Sequence, residues 1–343
     1  MIPELLIEPM PLPPRPRVLF ACYYDRDVIG APLERLRGIA EISEVNHGRN
    51  LTADELREHL PGKHFVVAAD EKHTSEILDT ADEVILLARD GTGYDGIDVD
   101  AATARGILVT NAPVVHEATA DLTIGLIIGL VRRIVLCDRD VRDGRWTERE
   151  RRTCPALTDL TLGIVGFGLT GREVAIRAAA LGMRVVVHNR SDVADAIRAV
   201  GAEPVSLDDV LAESDVLSVH VRHTKATTHM FDRALLRRMK RGAYFINTSR
   251  GGILDETALV EALQDGHLAG AALDVFAEEP LPTDHPLLSF ENVICTAHIG
   301  GETTTTMRLG VERAVDDIER LVRGERPKHL VNPEAWETAR ARR

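Results

Sequence analysis

Positive charge is in deficit in this sequence: 41 lysines and arginines face 54 aspartates and glutamates, a net charge of −13. No basic stripe interleaved with aromatics offsets it, which argues against a nucleic-acid partner. Long apolar runs are missing too. The most apolar helical stretch, 122–131, is bounded by Asp121 and Arg132 and is too short to cross a bilayer. The N-terminus shows no signal-peptide pattern, so no membrane partner is expected. The four cysteines, Cys22, Cys137, Cys154 and Cys295, lie far apart with no C-x-x-C pair. They fit buried thiols in a reducing, cytoplasmic setting. No cluster of metal-ligand residues is visible, and no metal is expected.

What is present is organised around Leu162-Gly163-Ile164-Val165-Gly166-Phe167-Gly168-Leu169-Thr170-Gly171, an apolar run that ends in G-x-G-x-x-G. In such a turn the first glycine permits the tight bend off a strand and the second lets backbone approach a pyrophosphate. The third lets the next helix pack closely on the sheet. The spacing alone is a weak signal, because glycines also collect in ordinary loops. Here a helix over 172–181 follows, with Gly182 as its C-cap and a second β-rich run at 184–188. A dinucleotide site is the expectation, with the pyrophosphate on the helix N-terminus.

The length of 343 residues suits roughly two domains. Residues 1–17 carry six prolines, which predicts an extended arm, with a partner-binding polyproline segment as the alternative. Beyond it, strands at 18–21, 65–68, 84–87 and 107–110 alternate with helices at 32–39, 75–78 and 98–105. After the glycine turn, strands at 184–188, 215–219, 243–246, 270–275 and 293–295 alternate with helices at 233–239 and 257–263. Such alternation implies parallel sheets covered on both faces. The fold class expected is α/β, two Rossmann-like or flavodoxin-like domains with parallel sheets. A last helix, 303–323, follows the final strand with Met307, Val311, Val315, Ile318 and Val322 on an apolar stripe. The dinucleotide domain, 112–298, is therefore expected to be inserted in a discontinuous substrate domain, 1–111 and 299–343, with the site in the cleft between them. The helix over 118–133 is apolar nearly all round, with Gly125 and Gly129 four apart. Burial inside one chain and a homodimer contact both account for it.

Four stretches fall just past predicted strand ends, where open parallel sheets bind ligands. They are Arg89-Asp90-Gly91-Thr92-Gly93, Asn247-Thr248-Ser249-Arg250-Gly251-Gly252, Asp274-Val275-Phe276-Ala277-Glu278-Glu279-Pro280 and Thr296-Ala297-His298-Ile299-Gly300-Gly301. Singly, each has an ordinary explanation: Arg250 as a helix cap, Glu279 as a solvated turn residue, His298 as a core histidine. Four of them at successive strand ends make a site. Reduction of a 2-keto acid needs a hydride donor, a cation to hold the carboxylate and polarise the carbonyl, and an acid for the developing alkoxide. Arg250 suits the second task through its planar paired contact, and His298 the third, held protonated by Glu279.

These motifs resemble the D-isomer-specific 2-hydroxy-acid dehydrogenases, a family that includes phosphoglycerate dehydrogenase and hydroxypyruvate reductase. The resemblance runs over about 18–332. It implies Arg250, Glu279 and His298 as catalytic residues. It implies cofactor contacts at Thr92, Gly166, Gly168, Leu169, Thr170, Gly171, Asn189, Arg190, His220, Val221, Thr248, Asp274 and Gly300. Substrate contacts fall on Arg89, Asp90, Gly91 and Arg250. The activity implied is NAD(P)-dependent interconversion of a small 2-keto acid and its D-2-hydroxy acid, of the glyoxylate, hydroxypyruvate or 3-phosphoglycerate kind, by a homodimer.

Three positions depart from the family pattern. Asn189, followed by Arg190, stands where an acidic residue usually receives the cofactor ribose, which points to NADP ahead of NAD. Arg222 replaces a frequent proline. Asp90 occupies a place that is usually small and uncharged, beside the substrate loop. Two other readings use the same scaffold. One is a phosphite-type anion dehydrogenase; its formate-oxidising relatives have glutamine where Glu279 stands. The other is a dinucleotide-sensing interaction protein like the corepressors that share the fold.

Overall fold

A computed structural model describes residues 12–22, 24–146 and 153–341. Residues 1–11, most of the expected proline-rich arm, lie outside the described residues. The chain forms two compact units, Met1–Val115 with Glu302–Arg343, and His116–Gly301. Both sheets are parallel throughout, and the α/β fold class expected from the sequence is the one found.

The first unit runs β1 (Arg17–Phe20), α1 (Arg26–Ile39), β2 (Glu41–Glu44), α2 (Ala53–His59), β3 (Phe65–Ala68), α3 (Ser75–Leu78), β4 (Leu86–Arg89), α4 (Val99–Ala104) and β5 (Leu108–Thr110). Its strand order is β2-β1-β3-β4-β5, the flavodoxin-like order. Helix α1 starts well before the expected 32–39. The Asp25 side chain caps it by accepting from Asp27 N, and Pro32 lies within it. The stripe Ile29, Pro32, Leu33 and Leu36 is buried on the sheet, and that packing outweighs the lost N–H of proline. Strand β4 starts two residues later than expected: Leu86 is its first residue paired across from Phe65, while Val84 and Ile85 are buried ahead of it, with Ile85 N donating to His64 O at 2.8 Å. Arg89 is thereby the last residue of the strand, on the same face as Leu87.

After the second unit the chain returns as α12 (Thr304–Val322), capped by Thr303, and α13 (Trp336–Ala341). Val311, Val315 and Ile318 of α12 share a core with Val18, Phe20, Phe65 and Val67. A Cβ on Gly310 would lie 2.0 Å from the Asp90 carbonyl oxygen, so this helix rests directly on the backbone at the end of β4. The buried Asn332 side chain accepts from Val109 N at 2.8 Å and donates to Ile107 O at 2.9 Å, tying the returning segment to β5.

The second unit contains α5 (His116–Val131), α6 (Ile134–Arg142), β6 (Thr161–Val165), α7 (Leu169–Ala180), β7 (Arg184–His188), α8 (Ala194–Ala199), β8 (Glu203–Pro204), α9 (Leu207–Glu213), β9 (Val216–Val219), α10 (Arg233–Arg237), β10 (Ala243–Asn247), α11 (Glu256–Gln264), β11 (Leu268–Leu273) and β12 (Val293–Cys295). The strand order β12-β11-β10-β9-β6-β7-β8 is the doubly wound dinucleotide-binding arrangement with one strand added, and its switch point lies between β6 and β9. Helices α5 and α7 cover one face over Leu162, Ile164, Val185 and Val187. Val210, Leu236 and Leu259 of α9, α10 and α11 cover the other over Val165, Val186, Leu217 and Val219. The helix expected over 118–133 stops at Val131, where Arg133 takes a left-handed φ of 54° and α6 begins.

Among the described residues, the titratable side chains of Glu71 and His73 are buried in the first unit without side-chain hydrogen-bond partners. Burial raises the Glu71 carboxyl to about 7 and lowers His73 to about 4. A carboxyl whose folded pKa lies above its unfolded value stabilises the fold at low pH, and this is lost as pH rises towards 7. His73 works in the opposite direction, because the unfolded chain binds its proton more readily between about 4 and 6.5. Glu71→Gln, which carries no charge at any pH, should therefore stabilise the protein at pH 8 by on the order of 1–3 kcal/mol, with a smaller gain at pH 5. Thermal unfolding at both pH values checks this; the same Tm difference at each would contradict it.

Candidate active site

Strand β6 delivers the glycine turn. Gly166 has φ +100°, and a Cβ there would lie 2.6 Å from the His220 carbonyl oxygen, while one on Gly171 would lie 2.1 Å from the Gly166 carbonyl oxygen. The first and third glycines are thus required by φ and by contact. A Cβ on Gly168 would meet nothing within 4 Å; this open side lies at the start of α7, whose first-turn N–H groups have no intrahelical partner. Among the described residues, the turn fits a pyrophosphate cradled by backbone amides.

Asn189, at the end of β7, accepts from Phe167 N at 2.9 Å and donates to Ser191 O at 3.0 Å. Its side chain braces the glycine turn. Arg190 beside it is exposed. His220 is placed next to the turn through its backbone. Its ring bonds Ser218 Oγ at 2.8 Å, and burial lowers it to about 4, so it is neutral. Val221 follows, half-buried. The Thr248 hydroxyl bonds the Thr123 hydroxyl at 2.8 Å, which leaves its backbone for any cofactor contact.

The loops after β10, β11 and β12 carry the candidate reactive groups. Asn247 forms an Asx turn, accepting from Ser249 N at 3.0 Å and donating to Arg250 O at 3.0 Å, and this sets the direction of Arg250. Asp274, only 1% exposed, accepts from Thr296 Oγ1 at 2.6 Å, Ile299 N at 2.9 Å and Gly300 N at 2.8 Å. These bonds fold the loop after β12 back over the strand end. His298 sits within that loop at φ 54°. Its Nδ1 lies 2.8 Å from Glu279 Oε2, and Glu279 Oε1 accepts from Phe276 N at 2.9 Å.

The hydrogen bond to Glu279 raises the His298 pKa against burial and the Arg250 charge, and Asp274 adds to the rise. Burial alone would raise the Glu279 carboxyl; the bonds from His298 and Phe276 N, with the His298 and Arg250 charges, bring it below its ordinary value instead. Arg250 is thus close enough to act on both members of the pair. With Nδ1 committed to Glu279, the proton available for transfer is the one on Nε2.

In the first unit, Arg89 and Asp90 are 8% and 3% exposed. The Arg89 guanidinium pairs with Asp90 and Asp70, and Asp90 also accepts from Cys22 Sγ at 3.1 Å. Neither side chain faces outward from the loop. Gly91 packs against the guanidinium, and Thr92 is tied to the next segment through Asn111 Nδ2 at 2.7 Å and Ala112 O at 3.1 Å. Among the described residues, the backbone N–H groups of Gly91, Thr92 and Gly93 donate to no protein acceptor.

Residues that motif reading passed over are Asn247, Thr123 and the bracing side of Asn189. Asn247, with Ser249 two residues on, carries an Asx-turn signature that was available in the sequence. Among the described residues, no group of three or more His, Cys, Asp or Glu side chains is placed to hold a metal ion, and no helix is long and apolar enough to cross a membrane.

Residues 124–300 match the model of the D-isomer specific 2-hydroxyacid dehydrogenase, NAD binding domain. A glyoxylate reductase of Korarchaeum cryptofilum is 42% identical over 76% of this chain and 80% of its own length. A D-3-phosphoglycerate dehydrogenase of Methanocaldococcus jannaschii is 35% identical over 87% of this chain and 57% of its own. Among solved structures, an NADPH-dependent glyoxylate/hydroxypyruvate reductase of Sinorhizobium meliloti superposes with a TM-score of 0.80 at 30% identity, over 94% of this chain and 99% of that one.

The expected coupling gives a direct test. If His298 is the acid of a reduction, the active form is imidazolium, whose population falls as pH rises through the His298 pKa. Glu279→Gln should therefore move the alkaline limb of the reduction profile to lower pH. His298→Ala should lower turnover by roughly 10²–10⁴-fold. Steady-state rates across pH check both, and an unmoved limb in Glu279→Gln would uncouple the pair.

Proposed function

The chain belongs to the D-isomer specific 2-hydroxyacid dehydrogenase family, and from that membership we propose a reductase of small 2-keto acids, glyoxylate or hydroxypyruvate, to D-2-hydroxy acids. It is a nicotinamide-dependent oxidoreductase. The observation that carries the reading is the 2.8 Å His298–Glu279 pair under the influence of Arg250, on loops at the C-terminal ends of parallel strands. The dinucleotide, when bound at the glycine turn, supplies the hydride. Arg250 receives the substrate carboxylate and polarises the carbonyl through a planar paired contact. In the first unit, the N–H groups of Gly91, Thr92 and Gly93, which donate to no protein acceptor among the described residues, suit an anion. His298 gives its Nε2 proton to the carbonyl oxygen as charge develops there, and Glu279 holds the imidazolium. Glyoxylate is favoured by the 42% identical relative. Because Asp90 and Asp70 neutralise Arg89, the loop offers backbone donors and no outward cation, which suits a substrate without a second anionic group.

NADP is the proposed cofactor. Asn189 removes the carboxylate that would repel a 2′-phosphate, and Arg190 stands exposed next to it to make a charge-assisted contact; the solved reductase described as NADPH-dependent supports the same choice. A homodimer is proposed through α5 and α6. Ile134, Val135, Val141 and Trp146 are 52–64% exposed, and Ile134 and Val141 line an open groove of about 450 Å³ with Ile128, Cys137 and, at its polar side, Arg132 and Asp138, a largely apolar surface that a second copy would cover. A cytoplasmic setting suits the four free cysteines.

A panel of 2-keto acids run with NADPH and NADH should show glyoxylate or hydroxypyruvate as the best substrate, with NADPH preferred. Arg190→Ala should raise the KM for NADPH by roughly tenfold, about 1.4 kcal/mol, and leave that for NADH unchanged. Oxidation of neither cofactor by any keto acid would favour the dinucleotide sensor. Light scattering should give twice the chain mass, and a monomer would remove the dimer.

A further inference from the structure

The loop that carries Glu279 is anchored from outside itself. Its Phe276–Ala277 peptide is held on two sides. The carbonyl lies against Gly251, where a Cβ would come within 1.9 Å of Phe276 C and O. The N–H of that peptide, belonging to Ala277, donates to Glu256 Oε1 at 2.7 Å. The preceding N–H, of Phe276, is the one that orients Glu279. Glu256 is the first residue of α11 and only 13% exposed in its side chain, with Oε2 3.4 Å from His285 Nε2. His285 Nδ1 accepts from Leu287 N at 3.3 Å, so its Nε2 carries the hydrogen and faces the carboxylate. Cys295, at the end of the strand that leads to His298, lies near enough for Glu256 to raise its thiol pKa in addition to burial.

We propose that Glu256 is a positioning residue for the acid–base pair: by fixing the 276–277 peptide it sets the Phe276 N–H, through it the Glu279 carboxylate, and through that the protonation of His298. The peptide cannot rotate without losing the Glu256 bond and forcing its carbonyl off Gly251. With Glu256 gone, one side of the clamp is open. Glu279 then loses the fixed donor that aims Oε2 at His298, while Arg250 and Asp274, the other charged groups acting on the imidazole, stay on their own strand ends. Because the contact is a hydrogen bond of defined reach, length matters more than charge.

This rests on the reading of His298 and Glu279 as the acid–base pair, and the test separates the two. His298 is titrated by NMR in protein without cofactor, its signal assigned by loss in His298→Gln, in the wild type and in Glu256→Gln, Glu256→Asp and Glu256→Ala. Reduction of glyoxylate by NADPH is followed across pH in parallel. Glu256→Gln keeps an acceptor at the same reach for the Ala277 N–H, its amide NH2 replacing only the oxygen that faces His285, and should hold the His298 midpoint within a few tenths of a unit. Glu256→Asp, one methylene short, and Glu256→Ala should both lower it by about one unit, move the alkaline limb with it and cut kcat by roughly tenfold with the KM for NADPH unchanged. A midpoint unmoved in Glu256→Asp, or one lowered in Glu256→Gln as much as in Glu256→Asp, would overturn the proposal. If Glu256→Ala does not fold, the Asp and Gln pair decides alone. Should the midpoints shift as expected while the wild type reduces no keto acid, the positioning stands and the proposed activity fails.

Discussion

The carboxylate of Asp274, buried at the end of β11, is the node on which the candidate site depends. A buried carboxylate without donors costs several kcal/mol. Here a hydroxyl and two consecutive backbone N–H groups of the loop after β12 converge on it. Satisfying all three bends that loop back over the sheet and carries His298 through the left-handed region, which costs a β-carbon-bearing residue roughly 1–2 kcal/mol. The histidine is therefore aimed by its backbone before its side chain selects a rotamer. The far end of the loop is pinned as well, since Thr119 of α5 donates to Gly300 O at 3.1 Å. Rigidity of this kind suits the role proposed for His298, because a fixed donor needs no search for the right geometry.

Recognition of anions by a chain of net charge −13 has to be local. Many arginines are spent on surface carboxylates, as Arg35 is on Asp316 and Glu319 and Arg184 on Glu203 and Glu213, and such exposed pairs contribute little stability each. In the second unit, what an anion would meet is short-ranged: the unpaired amides at the first turn of α7 and a cation at a strand end such as Arg250. Steering over distance would favour the wrong sign, so discrimination rests on geometry at contact.

Much of this was legible in the sequence, for a physical reason. Strands such as β3 and β6 are buried on both faces and read as continuous apolar runs, and the loops after β10, β11 and β12 carry motifs whose residues lie close together in the chain. Edge strand β2, Glu-Ile-Ser-Glu, is half-exposed and has no pattern to distinguish it from a loop. Helix α6 follows a break at Arg133 that no glycine or proline announces, and its apolar residues face outward. The inward turn of Arg89 depends on where β4 enters its ladder, which is fixed by pairing with β3 across the fold. The partners of Asp274 and the role of Glu256 were illegible for a similar reason, because each bond joins segments that follow different strands.

The core of the first unit joins α1 to α12, and the contact between Arg35 and Asp316 spans 281 residues. During synthesis β1 to β5 emerge first, yet the face of their sheet that α12 covers stays open until the ribosome has made the whole of the second unit. The intervening segment, with its own closed core, can fold in the meantime as an independent body. The early strands meanwhile lack the part of the core that α12 completes around Phe65, Val67 and Leu86. The interval between making the first sheet and covering it is thus the period in which this chain is most open to association with the wrong partner, and its length is set by the size of the insertion.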